Sequence, residues 1–113
     1  LYTYPDVIVV CGDPRYLDDK RDTLLNPCLI IEVLSDSTEN YDRGRKFEHY
    51  RSLDSLKEYV LVAQDKPHVE VFVRQGDRRW VLSEFSREDD VIALDSVACS
   101  LPLKEIYHKV ELP

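Results

Sequence analysis

CLIIEVLSDSTENYDRGRKFEHY, residues 28–50, decides how this chain folds. It begins as a β-rich apolar run, Cys28–Leu34, interrupted only by Glu32. A run of that length and continuity predicts a buried strand. Ser35-Asp36-Ser37-Thr38 then offers several N-cap side chains, and a helix is expected over 39–53. Phe47, Tyr50 and Leu53 recur at helical spacing and form its sheet-facing stripe. Glu58–Gln64, EYVLVAQ, reads as the next strand, so strand, helix and strand make a β-α-β unit with parallel strands. Gly44 inside the helix costs about 1 kcal/mol relative to alanine and signals either close packing or nothing. Glu32 is the anomaly. An ionised carboxylate in an apolar strand needs a cation or a hydrogen-bond network. Asp42, Lys46 and Tyr50, four residues apart on the helix, share one face and bring such a cation within reach.

Working outward, Asp6–Cys11 (DVIVVC) predicts a short strand covered on both faces, ended by Gly12-Asp13-Pro14. Residues 15–26 are charged and irregular and read as a solvated loop. Beyond the β-α-β unit, His68–Gln75 alternates, with Val69, Val71 and Val73 on one side, and Gly76-Asp77-Arg78 turns into Arg79–Ser86. With Glu58–Gln64 these strands form an antiparallel meander, and Trp80 is expected in the core. Val91–Leu94 and Val97–Leu101 are two further short strands, and Pro102 opens a closing helix, Leu103–Val110. The expected class is α/β, a mixed sheet with one crossover helix and a meander.

The 113 residues suit one domain, with 43% hydrophobic and 33% charged content typical of a globular chain. No apolar run reaches the roughly 20 residues a membrane-spanning helix requires, and the start has no signal-peptide layout. Cys11, Cys28 and Cys99 read as buried, reduced thiols of a cytoplasmic protein. The net charge of −7 argues against broad, non-specific adhesion to nucleic acid or anionic lipid, while leaving room for a local basic patch or a carboxylate metal site. The chain has no methionine and starts abruptly at Leu1-Tyr2-Thr3-Tyr4-Pro5, so an N-terminal part of a longer protein is expected to be missing.

Asp6 and Glu32 are each carried by a strand and converge if those strands are neighbours. Two carboxylates and a backbone carbonyl suit a hard dication such as Mg2+. Lys46 could stabilise developing negative charge there or help activate a metal-bound water. This is equipment for phosphodiester hydrolysis. The same residues also have plainer readings: Asp6 as a strand cap, Glu32–Lys46 as a structural ion pair, Asp42–Lys46 as a helix-surface pair. His49, His68 and His108 lack zinc-site spacing, Ser35 lacks a nucleophile-elbow setting, and neither a C-x-x-C pair nor a glycine-rich phosphate loop is present.

The ordered set Pro5-Asp6-Val7, Pro27, Glu32-Val33-Leu34-Ser35, Asp42-x-x-x-Lys46-x-x-x-Tyr50, Glu58-Tyr59 resembles the Uma-two family, restriction-endonuclease-like proteins of the PD-(D/E)xK superfamily. The resemblance extends to Leu103-Lys104-Glu105-Ile106-Tyr107. It implies a single nuclease-like domain over 1–113, lacking the family's N-terminal region, with Asp6, Glu32 and the Val33 carbonyl as metal ligands for Mg2+ or, as a substitute, Mn2+. The plain superfamily signature puts lysine two residues after the acid, where this chain has Leu34; Lys46 on the helix matches the family's displaced lysine. Ser35, Asp42 and Tyr50 would then be supporting or structural residues. The implied activity is Mg2+-dependent endonucleolytic cleavage of DNA, with homodimers a family expectation. Arg43, Arg45 and Arg51 could meet phosphates, and Arg74, Arg78 and Arg79 form a second basic cluster. The rivals are an inactive nuclease-fold module that binds nucleic acid or protein, and hydrolysis of a different phosphate ester.

Overall fold

The computed structural model describes residues 7–14, 16, 26–34 and 42–109; the side chains of Asp42, Arg43, His108 and Lys109 lie outside that description. Strands β1 (Val7–Val9), β2 (Leu29–Leu34), β3 (Glu58–Ala63), β4 (Val69–Arg74) and β5 (Trp80–Phe85) form one sheet in the order β1-β2-β3-β4-β5. β2 and β3 are parallel, while β1–β2, β3–β4 and β4–β5 are antiparallel, so the sheet is mixed as expected. Between β2 and β3 the chain passes through a π-helical turn, Asp42–Lys46, into α1 (Phe47–Arg51). A separate two-stranded sheet, β6 (Val91–Leu94) with β7 (Cys99–Pro102), leads into α2 (Leu103–Lys109).

Strand alternation builds two cores, one on each side of the sheet. On the helix side Ile30, Leu34, Tyr59 and Leu61 meet Phe47, Tyr50 and Leu56, with Leu53, Phe72 and Trp80 at the margin. Phe47 is its centre, stacked on Tyr59 at 4.8 Å and edge-on to Trp80 at 5.2 Å. On the other side Leu29, Val60, Val62, Val69 and Val71 pack against Ile92, Leu94 and Leu103. β3, the middle strand, is buried along its whole length, which explains why its apolar run is continuous.

Three sequence expectations are corrected. β1 lies at the sheet edge and not inside it: Val7 is 45% exposed and Ile8 42%. Its run of β-branched residues reflects strand propensity rather than burial on both faces. The cysteines are not all buried thiols, because the antiparallel pairing of β1 and β2 carries Cys11 to Cys28, where they form a disulfide, while Cys99 is free and exposed. Trp80 is half-buried at the rim of its core, since β5 is the opposite edge strand. A Cβ at Gly44 would meet nothing within 4 Å, so that glycine does not mark close packing. The expected loop at 15–26 and the capping residues 35–38 fall, apart from Tyr16 and Asn26, outside the described residues.

Polar ties hold the second layer to the sheet. Glu58, buried, accepts the Ser96 N–H at 2.7 Å and so fixes the 3-10 turn Asp95–Val97. The Tyr107 hydroxyl on α2 donates to the Ala63 carbonyl at 2.6 Å, with the His68 carbonyl 3.0 Å away, and accepts the His68 N–H at 3.0 Å. Burial raises the Tyr107 pKa above 10.0, the Asp65 charge adds to the shift, and the His68 backbone hydrogen bond opposes it. The folded state therefore holds this proton more tightly than the unfolded chain. The associated stability is complete below the unfolded pKa and declines as pH rises through the folded one. Tyr107→Phe should cost about 1–2 kcal/mol in urea unfolding near neutral pH. Comparing wild type and variant between about pH 8 and about pH 11 should show the wild type losing more stability than the variant.

Candidate functional site

Glu32 sits in the middle of β2 on the helix side of the sheet and is only 2% exposed. Ile30 and Leu34 flank it on the same face, so the strand offers the carboxylate no polar surroundings of its own. The compensation comes from across the layer. Lys46 Nζ donates to both Glu32 oxygens, each at 3.3 Å. Lys46 is the last residue of the π-helical turn, immediately before Phe47. Because the Phe47 ring is locked among Tyr59, Phe72 and Trp80, the backbone that carries Lys46 is anchored one residue from its ammonium.

The helix end is secured as firmly. Arg74 on β4 donates from Nε to the Leu56 carbonyl at 2.7 Å and from Nη2 to the carbonyls of Arg51 and Leu53, both at 3.1 Å. Its guanidinium lies 4.5 Å from the Trp80 ring centroid. A guanidinium there satisfies carbonyls that a helix C-terminus leaves open and complements its dipole. Arg74 is thus a helix clamp and leaves the basic cluster expected at the hairpin; Arg78 and Arg79 stay exposed.

The structure brings Glu32 and Lys46 together. Asp6 and Ser35 lie outside the described residues, as do the side chains of Asp42 and Arg43. Val33 follows Glu32 with its side chain in the opposite core, so only its backbone faces the question of metal ligation. Tyr50 is buried, 5.7 Å from the Tyr59 ring, and is part of the packing beneath the helix. Arg45 is exposed, and Arg51, also exposed, lays its guanidinium 4.8 Å from the Phe47 centroid.

A second cluster escaped the sequence reading. His68 Nε2 is 3.7 Å from Glu70 Oε2 and 3.6 Å from Glu84 Oε1. His68 and Glu70 are two residues apart at one strand, and Glu84 stands directly opposite Glu70 on β5. Searching for histidines four residues apart misses such a group. The useful signal is the i, i+2 alternation of HVEVFV combined with the hairpin register.

Comparisons with known proteins bear on the family and the fold. The profile of the Uma2 family, described as "Putative restriction endonuclease", matches residues 1–104. The "Uncharacterized protein sll1609" of Synechocystis sp. is 41% identical over 88 residues, 78% of this chain and 50% of that protein. The "Uncharacterized protein slr1290" of the same organism is 38% identical over 108 residues, 94% of this chain and 54% of that protein. The chain thus spans about half the length of these relatives. Its fold is similar to the crystal structure of a "putative nuclease belonging to DUF820" from Anabaena variabilis, at TM-score 0.63 and 18% identity over 83% of this chain and 53% of that one. With a family match over residues 1–104 and a mixed sheet similar in fold to a nuclease-like protein, this chain belongs to the restriction-endonuclease-like Uma2 family.

Proposed function

We propose that this chain forms the catalytic core of a Mg2+-dependent endonuclease that hydrolyses DNA phosphodiester bonds. The observation that carries the reading is the buried Glu32 carboxylate met by Lys46 Nζ at 3.3 Å from both oxygens. The donor set suits the cation: a carboxylate in a low-dielectric site, with Asp6 as the second carboxylate and the Val33 carbonyl as a third oxygen. A divalent cation held there supplies Lewis-acid polarisation of a phosphoryl oxygen and a more acidic water.

The chain's own residues then have defined tasks. Glu32, fixed in the central part of the sheet, anchors the site and balances positive charge. Lys46 would offer its ammonium to the negative charge that builds on the phosphoryl group, from a turn anchored by Phe47. Arg45 and Arg51, both exposed on the same helical segment, would meet the flanking phosphates. A second reading, an inactive module in which Glu32–Lys46 is a structural pair, draws on the symmetry of that contact and on the net charge of −7.

Plasmid nicking by the complete natural protein in Mg2+ separates the two. Lys46→Ala should lower the nicking rate by about 100-fold or more, as for loss of a preorganised charge-stabilising donor. Equal nicking by wild type and variant would remove Lys46 from the chemistry.

Stability provides an independent check on the pair itself. Lys46→Met leaves a buried carboxylate without its ammonium and should cost about 3 kcal/mol or more in chemical denaturation. Adding Glu32→Leu to it should restore most of that loss, because a buried ion pair replaced by apolar groups is close to neutral.

A further inference from the structure

We infer that His68, Glu70 and Glu84 form a second metal site, for a borderline transition-metal dication of the Zn2+ type, that clips the edge strand β5 to β4. The inference goes beyond the nuclease reading and does not depend on it. One ligand atom from each residue lies within 4.8 Å of the others. In a tetrahedral site with metal–ligand distances of about 2.0–2.2 Å, ligand atoms stand roughly 3.3–3.6 Å apart. The separations from His68 Nε2, 3.7 Å and 3.6 Å, are close to that span. The remaining adjustment falls to Glu84, whose side chain is 57% exposed and can turn without disturbing the core.

The framework behind these ligands is rigid. Glu70 is buried and held by the β3 and β5 ladders on its two sides. The His68 backbone is tied to the Tyr107 hydroxyl and, through its carbonyl, to the Ala63 N–H at 2.9 Å. Glu70 and Glu84 are direct cross-strand partners, so the register brings both carboxylates beside the His68 imidazole. The ligand chemistry chooses the cation. One imidazole with two carboxylates favours Zn2+ and similar metals over Mg2+ or Ca2+, which take oxygen alone. Three protein ligands leave a fourth position for solvent on the exposed Glu84 side.

This site is distinct from Glu32. Glu32, Leu61, Glu70 and Glu84 form one cross-strand row, with buried Leu61 standing between the two glutamates. Two strand spacings put the Glu32 and Glu70 backbones about 10 Å apart. The metals of a two-metal hydrolytic centre are about 3.5–4 Å apart.

The test is calorimetric titration of Zn2+ alone into the full chain, in a Cys99→Ser background that removes the exposed thiol as a rival ligand. One equivalent should bind beyond any taken up at Glu32. His68→Ala and Glu84→Gln should each weaken it by about tenfold or more, and Glu32→Gln should leave it unchanged. Far-UV circular dichroism confirms that each variant is folded, and the exposed position of Glu84 makes Glu84→Gln the safer of the two ligand variants. Undiminished affinity in either ligand variant, or no saturable binding by the parent, would overturn the site. Loss on Glu32→Gln with retention on His68→Ala would move the metal to Glu32 and overturn it equally.

Discussion

The burial of Glu32 is the constraint on which the helix side of this molecule depends. A carboxylate removed from water at the middle of a β-strand forfeits several kcal/mol of hydration, and a close cation offsets much of that cost. The lysine that provides it comes from the connection between two parallel strands. That connection must therefore dock at one height and one rotation over the sheet. Phe47 sets the rotation by stacking into the aromatic group beneath it, and Arg74 sets the height by gripping the helix end from β4. Electrostatics, packing and hydrogen bonding agree on one placement for the short helix, which is too short to hold itself together by propensity.

The same row of the sheet continues from Glu32 through Leu61 to Glu70 and Glu84, so acidic groups recur across a face that is otherwise strongly apolar. Glu32 meets the Lys46 ammonium, while Glu70 and Glu84 both face the His68 imidazole. A face designed only for stability would replace such pairs with hydrocarbon at little cost. Their retention is what makes the face chemically interesting. The opposite face, covered by β6, β7 and α2, is a conventional apolar core with one buried glutamate, Glu58, spent on holding a turn.

Much of this was legible in the residues. The continuous apolar runs of β2 and β3, separated by a segment with a three-residue apolar stripe, specify a parallel pair with a helix across it. The clean alternation from Val69 to Val73 specifies the meander. Glu32 in an apolar run and Lys46 one helix later name each other by charge alone.

The errors share a cause. β1 and an interior strand have the same composition, because β-propensity and burial both favour valine and isoleucine; only the strand order puts β1 at the edge. Cys11 and Cys28 are separated by 17 residues, and nothing local distinguishes a pair that antiparallel strands bring together from two solitary thiols. Arg74 looks like any surface arginine until the helix C-terminus arrives above it. His68 looks isolated until Glu84 comes across the hairpin. The sequence by itself determined the element types, the parallel unit and the acid–base couple at Glu32 and Lys46, since these follow from periodicity and from the cost of an unpaired buried charge. Tertiary structure alone decided which strand is an edge, which cysteines pair and which arginine is spent on the fold, because those depend on contacts between segments that local periodicity cannot encode.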